Sequence, residues 1–270
     1  MMGPLRGALL IAWVQNRLAL AWLTVGMFVL TWLLGAPVAP MRDGVLKLVA
    51  DTPFLQKLVG GVMGLDLTGE MTVRLLVGST WGHPFLLAVV WGFAILGGSR
   101  FPAHEIEENF LDALMCHPLS RTTALAAHAI VTQVGLFWLL LVALLGFHLG
   151  CRGLGEDAPS TIEMLPVVLS LWASATLVLG LTALVAVHAR ERGRVIGPLL
   201  ALALWSLLLA YLKPFLPWAA KFSALGLLNY YRPGQILQSG LWPWSDIAGL
   251  AAVGVLLWGL AAWRLSSRDL

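Results

Sequence analysis

The sequence predicts an all-α integral membrane protein of six transmembrane helices, with an interfacial helix ahead of the first span and a cytoplasmic helix between the second and third. Three observations predict it. The 270-residue chain is 59% hydrophobic and only 11% charged, with a mean hydropathy of +0.84, where soluble domains carry roughly 25% charged residues. Its apolar runs are bracketed by arginine. It holds 13 tryptophans, a residue that favours the headgroup zone, where its ring is apolar and its N–H is wet.

The elements follow in order. Leu5–Arg17 has Leu5, Leu9, Ala12 and Trp13 at helical spacing, with Arg6, Gln15, Asn16 and Arg17 as polar positions. It is expected to be a separate helix lying in the membrane plane. A cleaved signal peptide is the competing reading; the long apolar run after Arg17 and the poor cleavage site at Gly35–Pro40 count against it. A span needs about 20 apolar residues to cross about 30 Å of hydrocarbon. The runs that satisfy this are residues 18–39, 80–99, 122–149, 165–189, 195–212 and 247–263.

Short basic connections set the orientation. The turn His188–Arg194, the pair Arg100 and Arg121, and Arg264, Arg268, Arg6 and Arg17 fall on one side, which the positive-inside rule makes cytoplasmic. Both termini then lie in the cytoplasm, and the membrane is the cytoplasmic (inner) one. The four lysines fall outside, mostly in longer connections where the rule weakens. Of the outer segments, Pro40–Trp81 has room for short helices and Gly150–Glu163 reads as a plain loop. Lys213–Trp244 is broken by four prolines yet rich in Leu, Phe, Tyr and Trp. Backbone at membrane depth must be satisfied by protein or lie at a wet interface, so a folded-back or interfacial element is expected there. Cys116 and Cys151 fall on opposite sides, which argues against an internal disulfide. The formal charge of +3 comes with no basic stripe and interleaved aromatics, which excludes a nucleic-acid partner; the lipid bilayer is the partner that the composition demands.

The second-to-third connection carries the functional signal. In Glu105–Met115, Ile106, Phe110, Ala113 and Leu114 fall on one helical face and Glu105, Glu108 and Asp112 on another. Acidic residues suit a helix N-terminus, Pro118 ends the helix, and Ser120 can cap the third span. An acidic helix is repelled by anionic lipid. A protein partner with a basic or apolar groove answers both faces; packing on its own protein is the plainer account.

The run Ala103-x-Glu105-x-Glu107-Glu108, Leu111-Asp112-Ala113-Leu114, Pro118-Leu119-Ser120-Arg121 resembles the signature of the ABC type-2 permease family. The segment Tyr230–Leu237 and the ending Trp263–Leu270, with its Arg-Asp-Leu tail, are similar to that family too, so the resemblance covers nearly the whole chain. Asn109-Phe110 stands where the family has Gly-Thr, and His128 where it often has lysine; these departures bear on subfamily and substrate. The resemblance implies a coupling helix that docks on an ABC ATPase (nucleotide-binding) subunit, through Glu105, Glu107, Glu108, Asp112, Pro118 and Arg121. It also implies a second permease, a copy (homodimer) or a paralogue. The chain contains no G-x-x-x-x-G-K-[ST] loop to cradle phosphates, so ATP and Mg2+ would belong to the partner. This chain itself is expected to be non-catalytic and to bind no cofactor or metal.

Other chemistry is thin. His104-Glu105 lacks the second histidine of the H-E-x-x-H zinc motif. His128, with Thr132 one turn on and Gln133 beside it, sits inside the third span. Interhelical hydrogen bonding and a wall of a transport pathway are both open to these three. No Asp or Glu falls inside any proposed span, which disfavours a membrane enzyme and a proton-coupled carrier. The expected function is the permease of an exporter moving a hydrophobic or amphiphilic substrate. A membrane scaffold for envelope-protein maturation is the alternative, and a membrane-embedded enzyme the remote one.

Overall fold

The computed structural model describes residues 3–63, 73–109 and 120–267, and among them it is helical with no strand. Six helices are long and apolar enough to cross a membrane. They run Leu5–Met41, Leu76–Gly98, Arg121–Gly155, Thr161–Ala186, Gly193–Leu212 and Trp244–Ser266 when short breaks are bridged. The protein is an all-α, multi-pass membrane protein, as the composition predicts.

Local chemistry sets the boundaries. The first helix is continuous from Gly3 to Gly35, so the expected separate interfacial helix is instead the first turns of the first span. The reason is packing: Ala8, Ala12, Asn16 and Leu20 are all buried, and a stripe at four-residue spacing keeps one face against the bundle. The helix stops at the Ala36–Pro37 turn, short of the expected Ala39, and a new helix, Val38–Asp51, begins. In the second span the break falls at Gly82–His83. There the His83 ring accepts the Phe85 N–H and Pro84 takes the first helical position, where its missing N–H costs nothing. The fourth span starts four residues earlier than expected because Ser160 and Glu163 form a reciprocal capping box. The sixth extends at both ends, to Trp244 and Ser266.

The second, third and fourth spans form the centre, and the first, fifth and sixth show large apolar side chains outward. In lipid there is no hydrophobic force between helices, so close backbone approach and polar contacts hold them. A Cβ on Gly150 would lie 2.6 Å from the Trp32 carbonyl oxygen, and one on Gly254 would lie 2.7 Å from that of Thr176. The first and third spans, and the fourth and sixth, therefore touch backbone to backbone. The Trp91 indole donates to Ser174 Oγ at 3.1 Å, and Gln133 Nε2 to Thr176 Oγ1 at 3.1 Å. Both tie neighbours to the fourth span.

Among the outward-facing tryptophans, Trp13 and Trp32 on the first helix and Trp244 and Trp263 on the sixth are each nineteen positions apart, about 28 Å of helix at 1.5 Å per residue; Trp22, between the first two, is exposed as well.

The start of the first helix and the end of the last lie on one face of the bundle, called the near face. There Leu265 of the last helix packs with Phe101, Ala124, Leu125 and Val187. On the far face, helices Val38–Asp51 and Pro53–Met63 follow the first span. The stretch read as a plain loop contains a 3-10 helix, Cys151–Asp157, and Cys151 is a buried free thiol. The expected folded-back element is present. Short helices Pro217–Phe222 and Pro233–Ser239 return toward the bundle, with Leu227, Leu228, Tyr231, Ile236 and Leu237 buried. Tyr231 donates its hydroxyl to the Trp81 carbonyl at 3.1 Å, and burial holds its pKa well above the usual tyrosine range.

Candidate functional site: a polar junction on the near face

The second span ends at Gly98, and Ser99 follows as its cap. The chain then makes a wide turn, Arg100–His104, in which Phe101 is extended and the Phe101–Pro102 peptide is cis. This turn lays the Phe101 ring flat on His128, with centroids 5.6 Å apart and planes 9° apart. It also points Arg100 at the first helix, where Nη1 donates to the Gln15 carbonyl at 3.0 Å.

Glu105 comes next, and it is buried. Gln15 Nε2 donates to its Oε1 at 3.0 Å. Glu107, one turn edge away and exposed, reaches a different element: its Oε2 accepts the backbone N–H of Arg192 at 2.8 Å. The Arg192 side chain runs back to the second span, donating to Ser99 Oγ at 3.1 Å and to the Leu96 carbonyl at 3.0 Å. Burial and then the neighbouring Arg100 lower the pKa of Arg192, and Glu107 opposes them. The result is one hydrogen-bonded block that joins the first helix, the end of the second and the turn between the fourth and fifth.

Glu108 faces solvent. Asn109 has a φ of +54°, a left-handed conformation that asparagine tolerates better than most residues. The helix that begins at Glu105 accordingly ends at Glu107. The expected continuous helix from Glu105 to Met115 is thus interrupted after its first turn. Asp112 and Pro118 lie outside the described residues. Ser120 caps the third span as expected, accepting the Thr123 N–H at 3.1 Å, and Arg121 is the first residue of that helix.

His128 is buried, and its stacking on Phe101 sets it beyond the end of the second span, near the face and away from the bilayer centre. Its Nδ1 has no partner among the described residues, and the same holds for Arg100 Nε and Gln15 Oε1. Thr132 donates to the His128 carbonyl at 2.8 Å, within its own helix, and packs on Gly97. Gln133 is spent on Thr176. Gln133 thus makes an interhelical hydrogen bond, whereas the Thr132 hydroxyl bonds within its own helix. No group of three or more His, Cys, Asp or Glu that could hold a metal occurs among the described residues.

The junction contains three residues that the sequence reading used only for topology or polarity: Gln15, Arg100 and Arg192. Their signal was weak, because each partner lies at least 85 positions away along the chain. Scanned against protein-family models the chain matches none, and a search of curated proteins finds no significant match.

Proposed function

We propose that this chain is the membrane-spanning permease subunit of an ATP-driven exporter, with the near face in the cytoplasm and the ATPase on a separate chain. The reading rests on the resemblance of residues 103–121 to the ABC type-2 permease signature. One structural observation supports it most. The connection that would meet the ATPase is bonded through Glu105 to the first helix and through Glu107 to the turn between the fourth and fifth spans. A displacement applied there would pass to the first helix and to the turn between the fourth and fifth spans as well as along the second, as a lever must.

In this scheme Glu108, which faces solvent, and Asp112 present charge to the ATPase. Glu105 and Glu107 act inward, passing the movement on. ATP binding in the partner draws the two ATPase subunits together, the connection moves, and the second and third spans tilt. The outward apolar faces of the first, fifth and sixth spans leave room for a second permease as well as lipid.

The test is a mild-detergent purification of the tagged chain from its native host, with mass spectrometry of co-eluting proteins. A stoichiometric P-loop ATPase, lost on Glu108→Lys with Asp112→Lys while the membrane part stays folded, supports the reading. Reproducible absence of an ATPase from an otherwise intact complex would put the scaffold reading in its place.

A further inference from the structure

A cavity of about 340 Å3 opens on the far face, between the end of the first span, the two helices after it, the start of the second span and the end of the fifth. That volume is within the range of about 300–1,000 Å3 typical of small-molecule sites. Its walls are apolar, with Leu34, Val38, Val45, Val59 and Leu76 among them.

The polar groups in the wall are few and mostly occupied. Ser79 Oγ donates to the Leu76 carbonyl at 2.6 Å, and Thr80 Oγ1 to the same oxygen at 3.4 Å. His83 Nδ1 is spent as a helix cap. No charged side chain lines the cavity among the described residues. An ionic ligand group would be buried there without a counter-charge, which is unfavourable. Among the described residues, the Tyr211 hydroxyl, on a half-buried ring, and His83 Nε2 have no hydrogen-bond partner.

Depth decides the ligand class. Leu34 is one residue before the first helix ends at Gly35, and Tyr211 is one residue before the fifth helix ends at Leu212. The cavity therefore sits where hydrocarbon gives way to headgroup, the zone of a lipid's ester linkages. We infer that it binds one acyl chain of an amphiphile, with the uncharged ester or hydroxyl end of that chain near Tyr211 and His83 and any charged head outside. The inference stands whether or not an ATPase docks on the near face. A resident bilayer lipid and a transported amphiphile share this chemistry.

The experiment is photolabelling of the full chain in vesicles of phosphatidylethanolamine and phosphatidylglycerol, doped with a phospholipid carrying a diazirine on its acyl chain. Adducts are expected to concentrate on Val38–Asp51 and Pro53–Met63. Val45→Trp, which fills the cavity from a half-exposed helix, should lower them about tenfold at unchanged Tm; Leu58→Trp repeats the test if that variant fails to fold. Tyr211→Phe should lower them by roughly two- to tenfold, the worth of one neutral hydrogen bond. Labelling no denser there than at the outward-facing Leu204 and Leu256, or undiminished in both tryptophan variants, would overturn the site. Among supporting outcomes, a label that chases out slowly regardless of ATP marks a resident lipid. A label released faster when ATP is added to the complex isolated from the native host marks a cargo chain.

Discussion

Glu107 and Arg192 are joined across 85 residues of sequence by a single 2.8 Å bond, from the Arg192 backbone N–H to the Glu107 carboxylate. The bond fastens the turn between the fourth and fifth spans to the segment that follows the second. Because the Arg192 side chain also grips Ser99 and the Leu96 carbonyl, the turn is held at two points. Removing the carboxylate should free the backbone and leave the side-chain grip intact. In Glu107→Ala, hydrogen exchange at the Arg192 amide should rise about tenfold, the effect of losing roughly 1.4 kcal/mol of local protection. Unchanged exchange in the peptide covering residues 188–196 would show that the bond does not limit opening there.

Glu105 makes a sharper case, since it is a carboxylate inside the protein with Gln15 as its neutral donor. Deleting the donor leaves the acceptor buried without it, which costs more than deleting both. Gln15→Leu should therefore lower stability by about 1–3 kcal/mol, and adding Glu105→Leu should recover part of that loss. Thermal unfolding of the two single variants and the double variant in detergent measures the coupling. Simple additivity would mean that Glu105 draws its stabilisation from elsewhere.

What could be read from the chain followed the physics that is local. The apolar runs, the prolines and the Ser120 cap place the second to sixth spans to within a few residues, because each is decided by nearby side chains. The first helix escaped the reading because polar Gln15, Asn16 and Arg17 suggested a break. In fact Asn16 Nδ2 donates to the Ala12 carbonyl at 2.7 Å and stays within a continuous helix. The candidate site was legible only as an acidic segment. That Glu105 turns inward, and that Asn109 ends the first helical turn, depend on Gln15 and on a left-handed residue whose role no periodicity reveals.

The crossing of the fourth and sixth spans offers a test with internal controls. A Cβ on Gly254 would fall 2.7 Å from the Thr176 carbonyl oxygen, and backbone cannot give way as a flexible side chain can. Gly249 and Gly259, on the same helix, have open space. Gly254→Ala should destabilise by about 1–3 kcal/mol, as overpacking does, whereas Gly249→Ala and Gly259→Ala should match the parent or gain slightly from better helix propensity. Equal Tm values for all three variants would mean that the two helices do not pack as closely as described.

His128 separates packing from transport. Its ring stacks on Phe101 at 5.6 Å while Nδ1 has no partner among the described residues. If the ring serves only as a plate beneath the Arg100–His104 turn, His128→Phe keeps the stack and removes an unsatisfied nitrogen. The variant should then be as stable as the parent or more so, by up to about 1–3 kcal/mol, and should assemble normally. His128→Ala removes the plate as well, so it should lower stability by about 3 kcal/mol, the lower end for loss of a buried ring. The comparison to make is transport rate against Tm for the two variants. Loss of transport in His128→Phe at full stability would assign the nitrogen a role in the pathway. Retained transport in His128→Phe, with loss of both properties in His128→Ala, would assign His128 to holding the turn that leads into Glu105 and Glu107.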